Sequence, residues 1–115
     1  MNAAEWVIHA RTALMDCRAI NADELMYRCW ILPRAIMADG FEISIQASEA
    51  HHCSPRKTYF GPYISYELGY PSSDDDLLHE YEDGFDDGTF SYVPANVVEA
   101  LVEKHGGITG PLNGW

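Results

Sequence analysis

The sequence has few cysteines, and their spacing gives no disulfide framework. Its 115 residues contain three of them, Cys17, Cys29 and Cys53, an odd number that includes no Cys-x-x-Cys pair. Small secreted folds and structural zinc sites depend on grouped cysteines. The three residues therefore indicate reduced thiols in a cytosolic protein.

Long apolar segments are also lacking. No apolar run approaches the roughly 20 residues that span a bilayer. The first ten residues contain Glu5 and His9 but no basic region, so they do not match a secretory signal peptide. We therefore expect a cytoplasmic protein without a membrane partner.

Positive charge is scarce in the second half of the chain. Residues 1–61 carry seven acids and six bases, whereas residues 62–115 carry eleven acids and one base, so −10 of the net charge of −11 belongs to the second part. Such a field repels nucleic acid and attracts basic protein surfaces. Direct nucleic-acid binding is therefore not expected, and a basic protein partner is.

The negative charge is densest in residues 74–87, which we call the acidic segment. It contains eight carboxylates and no lysine or arginine. These are Asp74, Asp75, Asp76, Glu80, Glu82, Asp83, Asp86 and Asp87. A block of like charges is typical of a solvated surface, so we expect the three aspartates at its start to be exposed and dispensable for folding.

The apolar content, 47% of all residues, supports one acidic domain over residues 1–115. Asn2–Arg18 is the clearest helix, because its apolar residues recur at helical spacing. This stripe comprises Trp6, Val7, Ala10, Ala13, Leu14 and Cys17, and it leaves Glu5, Arg11, Asp16 and Arg18 to face water.

Two further helices are predicted. Asn21 is a suitable N-cap for a short helix over Ala22–Arg28, with Glu24 placed as in a capping box. A last helix follows Pro94 and ends at Gly106-Gly107. Its apolar stripe comprises Val97, Val98, Leu101 and Val102.

The remaining segments have the pattern of β-strands. Asp39-Gly40 predicts a tight hairpin between Arg34–Ala38 and Phe41–Ser48. Tyr63–Gly69 and Thr89–Val93 are the third and fourth predicted strands. One helical turn is predicted at Asp76–Tyr81, and the Gly/Pro-rich tail Ile108–Trp115 is expected to be irregular.

Together these elements predict an α+β fold. Short connections between successive strands favour a four-stranded antiparallel sheet. The N-terminal helices and the C-terminal helix are expected to pack on this sheet. They would then cover Ile43, Ile45, Ile64 and Leu68.

Several stretches between Phe41 and Gly107 resemble a family of small phage and prophage proteins. They are Phe41-Glu-Ile-Ser-Ile-Gln-Ala-Ser48, His52-Cys53-Ser54-Pro55-Arg56, Gly61-Pro62-Tyr63, Glu67-Leu68-Gly69-Tyr70-Pro71, Tyr92-Val93-Pro94 and His105-Gly106-Gly107. The resemblance brings no active site with it. It implies a phage-derived context, in which small acidic proteins such as anti-CRISPR proteins often inhibit host defence.

His51, His52 and Cys53 form one group with its own potential chemistry. Imidazole and thiolate are zinc ligands, and a thiolate beside a base is a nucleophile. Adjacent ligands rarely close on one ion, however, and half-exposed histidines beside a buried cysteine are the more common arrangement. We therefore expect no metal and no cofactor.

Arg56 and Lys57 are the only adjacent basic residues in the chain. With the neighbouring aromatic rings they could contact phosphates and bases. The negative field of the chain opposes this. A pairing of Arg56 with a carboxylate such as Glu67 is the preferred interpretation.

The sequence thus favours a non-enzymatic binding protein of the host-cell cytoplasm. The acidic segment is expected to occupy a basic, nucleic-acid-binding surface of a host defence complex, with its aromatic residues adding buried contact. The predicted partner-binding residues are Asp74, Asp75, Asp76, Glu80, Tyr81, Glu82, Asp83, Phe85, Asp86 and Asp87. The alternative is a small metal- or thiol-dependent enzyme that uses His51, His52 and Cys53.

Overall fold

The computed structural model describes residues 1–18, 31–82 and 88–111. The predicted helix Ala22–Arg28 lies outside these residues. The elements are α1 (Ala3–Arg18), β1 (Ala35–Met37), β2 (Glu42–Gln46), β3 (Ser65–Gly69), a 3₁₀ helix (Asp76–Tyr81), β4 (Thr89–Pro94), α2 (Ala95–Lys104) and β5 (Ile108–Gly110).

The strands form one antiparallel sheet in the order β4-β3-β2-β1-β5. The predicted hairpin joins β1 to β2, and Gly40 adopts a φ of 93° in its turn, a conformation that glycine tolerates best. β3 and β4 extend the sheet on one side, and β5 pairs with β1 on the other. The predicted α+β class with an antiparallel sheet is therefore confirmed.

The number of strands differs from the prediction, because Ile108–Gly110 is not irregular but forms β5. After α2 the chain turns back to the sheet, where the Ala38 N–H donates to the Gly107 carbonyl at 3.0 Å. The side chain of Ile108 is buried there. Burial of one isoleucine and pairing with a distant strand thus outweigh the Gly/Pro-rich composition of the tail.

The core lies between the helices and the sheet. Both predicted stripes contribute to it, since Trp6 and Leu14 of α1 and Leu101 of α2 are buried. Ile43, Ile45 and Leu68 of the sheet are buried as predicted. Among the described residues, no helix has the length and apolar character required to cross a membrane.

Ile64 does not follow the predicted alternation and is 74% exposed. It precedes β3, and its N–H donates to the Ser54 carbonyl at 2.6 Å. Its own carbonyl accepts from the Ala95 N–H at 2.8 Å. These bonds to a loop and to the start of α2 hold Ile64 outside the regular strand, and the prediction that it is covered is wrong.

Arg11 was expected in water, and this prediction is also wrong, because the side chain is completely buried. Its Nη1 donates to the Tyr59 carbonyl at 2.7 Å and to the Tyr63 hydroxyl at 3.1 Å, and its Nη2 donates to the Ala47 carbonyl. A buried charge is tolerated when hydrogen bonds replace its hydration. Arg11 thereby fastens residues 47–63, the connection between β2 and β3, to α1.

Candidate functional site

The described part of the acidic segment belongs to the connection between β3 and β4. The two ends of this connection meet where the Tyr70 N–H donates to the Gly88 carbonyl at 2.6 Å. Gly88 has a φ of +90°, and a Cβ on it would lie 2.8 Å from the Tyr70 ring. Glycine at this position therefore permits close approach of the ends.

The 3₁₀ helix places part of the acidic segment on the body of the protein. Leu78 is buried in the core, while Leu77 and Tyr81 pack against it from the surface. Glu82 then forms a β-bridge with Phe90 of β4. The buried Leu78 and the bridge at Glu82 thus hold the 3₁₀ helix against the body of the protein. The helical turn predicted at Asp76–Tyr81 is present.

Four carboxylates in this region are exposed. They are Asp74, Asp76, Glu80 and Glu82. Tyr81, the aromatic residue predicted beside them, is half-buried. The other predicted binding residues, Asp83, Phe85, Asp86 and Asp87, lie outside the described part of the chain.

Asp75 differs from its neighbours, because its side chain is only 2% exposed. Its Oδ1 accepts from the Leu77 N–H at 3.0 Å, which caps the 3₁₀ helix, and from Lys104 Nζ at 3.1 Å. Its Oδ2 lies 2.9 Å from His105 Nε2. The expectation that Asp75 is exposed is therefore wrong, because the carboxylate is buried and hydrogen-bonded within the fold.

His105 is the centre of this contact. Its Nδ1 lies 2.6 Å from Asp39 Oδ2 in the β1–β2 turn, and its Nε2 lies beside Asp75. The ring also stacks on Phe41, with 4.0 Å between ring centroids. We call Asp39, Asp75, Lys104 and His105 the His105 cluster.

The protonation of the His105 cluster follows from these contacts. Burial alone would lower the pKa of His105, but the hydrogen bonds to Asp39 and Asp75 outweigh it, so the pKa is raised. Burial would raise the pKa of Asp75, but the bonds from His105, the Leu77 N–H and Lys104 outweigh that, so it is lowered. The Phe41 N–H and His105 together lower the pKa of Asp39.

The sequence pattern gave no sign of the His105 cluster. Asp39 had the features of a turn residue, and Lys104 and His105 had those of residues placed favourably at the end of a helix. Asp75 was one of eight carboxylates in a run. One buried acid within an exposed run has no local signature, so no signal in the pattern could have distinguished it.

Asp74, Asp76 and His79 form a second group at the surface. One ligand atom from each lies within 4.8 Å of the others, a spacing that could hold a cation. His79 Nε2 already contacts Asp74 at 2.9 Å, and this hydrogen bond raises the pKa of His79. An exposed ion pair accounts for the group, which by itself does not indicate a metal.

His51, His52 and Cys53 are directed to different partners. The Cys53 thiol is buried and donates to the Ser48 carbonyl at 3.3 Å, and burial raises its pKa. His51 Nδ1 lies 2.6 Å from Ser48 Oγ, and burial lowers the pKa of this imidazole. A protonated, buried thiol is a weak nucleophile, so this geometry gives the enzyme alternative no support.

His52 and Glu67 form a separate contact on the outer surface. The His52 N–H donates to Glu67 Oε1 at 2.9 Å, and the His52 ring stacks on Tyr92 at 5.7 Å between centroids. Glu67 thus pairs with His52, whereas it was expected to pair with Arg56. Arg56 is exposed, and the neighbouring Lys57 lies over the ring of Tyr59 at 4.7 Å.

Comparisons of the chain with protein-family models, with curated proteins and with solved structures found no match. The resemblance to phage proteins therefore stays a prediction.

Proposed function

We propose that this chain is a phage-derived binding protein that inhibits a host defence complex, of the CRISPR type, by occupying a basic, nucleic-acid-binding surface. The observation that carries the proposal is the ordered display of exposed carboxylates on the 3₁₀ helix and at its two ends. Asp74, Asp76, Glu80 and Glu82 face solvent, while Leu78 and Asp75 beneath them are buried.

Order matters for such a surface. A mobile acidic tail loses conformational entropy when it binds, whereas a pre-organised set of charges does not. Carboxylates fixed on a buried leucine can therefore replace phosphates at a basic site with little reorganisation. Tyr81, partly packed against the core, adds apolar contact beside the charges.

Long-range charge favours the same partner. With −10 of the net charge in residues 62–115, the protein is attracted to a basic surface before contact, and salt weakens this attraction. Binding by this mechanism is stoichiometric and needs neither a metal nor a cofactor. The site of action is the cytoplasm of the host cell.

The experiment is a pull-down from host lysate at low and high salt, followed by competition with nucleic acid. The variant Asp76→Asn/Glu80→Gln removes two exposed charges from the 3₁₀ helix. The control Glu49→Gln/Glu103→Gln removes two exposed charges elsewhere, so both proteins have the same net charge. We expect the first variant to release the partner and the control to retain it.

Two results would contradict the proposal. If both variants lose binding equally, the partner responds to net charge and does not recognise the acidic segment. If the captured partner still binds nucleic acid, then this protein does not occupy the partner's nucleic-acid-binding surface. Substoichiometric inhibition would instead favour the enzyme alternative.

A further inference from the structure

Three parts of the fold that are distant in sequence meet at His105. The β1–β2 turn supplies Asp39, the N-cap of the 3₁₀ helix supplies Asp75, and the end of α2 supplies His105 and Lys104. Among the described residues these are the charged groups that contact the imidazole or its buried carboxylate partner. The His105 cluster thus attaches the start of the acidic segment to the β1–β2 turn and to the end of α2.

We propose that the His105 cluster is a proton-dependent clasp, which fixes the start of the acidic segment when His105 is charged and loosens it when His105 is neutral. The proposal concerns the order of the segment and holds whether or not the segment binds a partner.

Both contacts of the imidazole require it to donate. Both ring nitrogens lie within 2.9 Å of a carboxylate oxygen, and a carboxylate can only accept. Imidazole donates from both nitrogens only when it is protonated. Once the proton leaves, one nitrogen becomes an acceptor and faces an acceptor, so one of the two contacts turns repulsive.

The two carboxylates do not tolerate this loss equally. The Asp39 side chain is 49% exposed and can be hydrated, and it still accepts from the Phe41 N–H at 2.9 Å. Asp75 is buried, so the neutral ring keeps its remaining proton on Nε2 beside Asp75, and the Asp39 contact is the one that is lost. The bond that remains at Asp75 is no longer made by a charged donor and is therefore weaker. Opening of the 3₁₀ helix N-terminus, where Asp75 caps Leu77, returns the carboxylate to water and becomes easier.

Solvent can reach the imidazole, as a titrating group requires. An open depression of about 270 Å³ is lined by Asp39, Gly40, Phe41, Ser72, Ser73 and His105. The His105 side chain is 13% exposed. Proton exchange therefore does not need prior unfolding of the protein.

The sign of the effect follows from the pKa directions. The pKa of His105 is raised in the fold, so the clasp is complete below the ordinary histidine value of about 6.5 and is lost as the pH rises through the raised value. The pKa values of Asp39 and Asp75 are lowered, so the clasp is also lost in acid below the ordinary carboxyl value. The attachment is strongest in mildly acidic solution.

Amide hydrogen exchange tests the clasp without a partner. We would measure protection factors, corrected for intrinsic exchange, of the Leu77 and Leu78 amides at pH 6.0 and pH 8.5, with the Ile45 amide of β2 as an internal reference. The Leu77 and Leu78 factors should fall on the order of tenfold more than that of Ile45, since a hydrogen bond to a charged group has about this effect on an equilibrium.

Three variants complete the test. His105→Gln should lower the two protection factors at pH 6.0 and make them independent of pH. Asp39→Asn retains the turn and its acceptor for the Phe41 N–H, and it should move the midpoint of the transition to lower pH. His79→Gln removes an exposed histidine of the same segment and should behave as the wild type.

A wild-type protein in which Leu77 and Leu78 follow Ile45 at both pH values would overturn the proposal. The proposal also fails if His105→Gln keeps the pH dependence or if His79→Gln abolishes it. If His105→Gln does not fold, the pH dependence of the wild-type protection factors and the midpoint of Asp39→Asn still test the proposal. A midpoint that Asp39→Asn does not move would mean that a group other than His105 titrates.

Discussion

Residues 47–63 and the acidic segment are both attached to the body of the protein by a cationic side chain. In residues 47–63 the cation is Arg11, which donates to the carbonyls of Ala47 and Tyr59. In the acidic segment it is His105, which bonds to carboxylates. A guanidinium keeps its charge at every pH in common use, whereas an imidazole does not.

The chemistry of the attachment decides whether each loop responds to pH. Neutral carbonyls around a permanent cation give a contact that pH does not change. Carboxylates around a titratable cation give a stronger contact that exists only over a range of pH. The arrangement around Arg11 suits a structural connection. The arrangement around His105 suits a surface whose order depends on pH.

The largest effect is expected where the permanent cation is removed. Arg11→Met should lower the free energy of unfolding on the order of 3 kcal/mol, because the buried partners of the guanidinium lose their donors. The loss should be equal at pH 6 and pH 8.5, as measured by urea denaturation. Arg34→Met is the control: its ion pair with Glu42 is exposed, so it should cost less than about 1 kcal/mol.

The core beneath both regions should be about as sensitive as Arg11. Leu101→Ala and Leu14→Ala should each cost about 2–5 kcal/mol, as large-to-small changes in a packed core do. Both side chains are buried in the same cluster. A loss below about 1 kcal/mol at either position, measured in the same way, would mean that its helix does not support the sheet.

A smaller and pH-dependent effect is expected for the titratable cation. His105→Gln should lower the free energy of unfolding by about 1–3 kcal/mol at pH 6. At pH 8.5 the difference from the wild type should shrink, because the raised pKa of His105 means that its stabilisation is lost as the pH rises through that value. If the difference from the wild type is the same at pH 6 and pH 8.5, then the stabilisation by His105 is as independent of pH as that by Arg11.

The two neighbouring aspartates should show the smallest effects and still differ from each other. Asp75→Asn weakens three contacts of a buried carboxylate and should cost about 1–2 kcal/mol near pH 6. Its lowered pKa means that this stabilisation disappears in acid. Asp74→Asn, on an exposed side chain, should change stability by less than about 0.5 kcal/mol. Similar values for both would show that Asp75 is not the structural member of the pair.

Local pattern was sufficient for the elements that depend on it. The stripe around Trp6 and Leu14 predicted α1, and Asp39-Gly40 predicted the hairpin, because both signals depend on residues within a few positions of each other. The turn at Asp76–Tyr81 was also predicted, as the structure has it. The acidic segment was predicted to be a binding surface from composition alone, and this stays a prediction.

Contacts between distant residues could not be predicted in this way. Asp39 and His105 are 66 positions apart, and Asp75 and His105 are 30 apart. The burial of Arg11, the pairing of β5 with β1 and the exposure of Ile64 likewise depend on which segments meet in the fold. Periodic patterns in a single sequence do not show which distant segments pack together. Asp75, one carboxylate in a run of eight, was therefore predicted to be exposed.

The hydrogen bond between Tyr70 and Gly88 joins the two ends of the connection between β3 and β4. The sequence within this connection can therefore change while its ends stay in place. Between these two residues, Asp75 and Leu78 are buried, whereas Asp74, Asp76, Glu80 and Glu82 are exposed. Selection can therefore alter those four positions and change the preferred target at little cost in stability. A library that varies Asp74, Asp76, Glu80 and Glu82 and retains Asp75 and Leu78 would explore recognition on a constant scaffold.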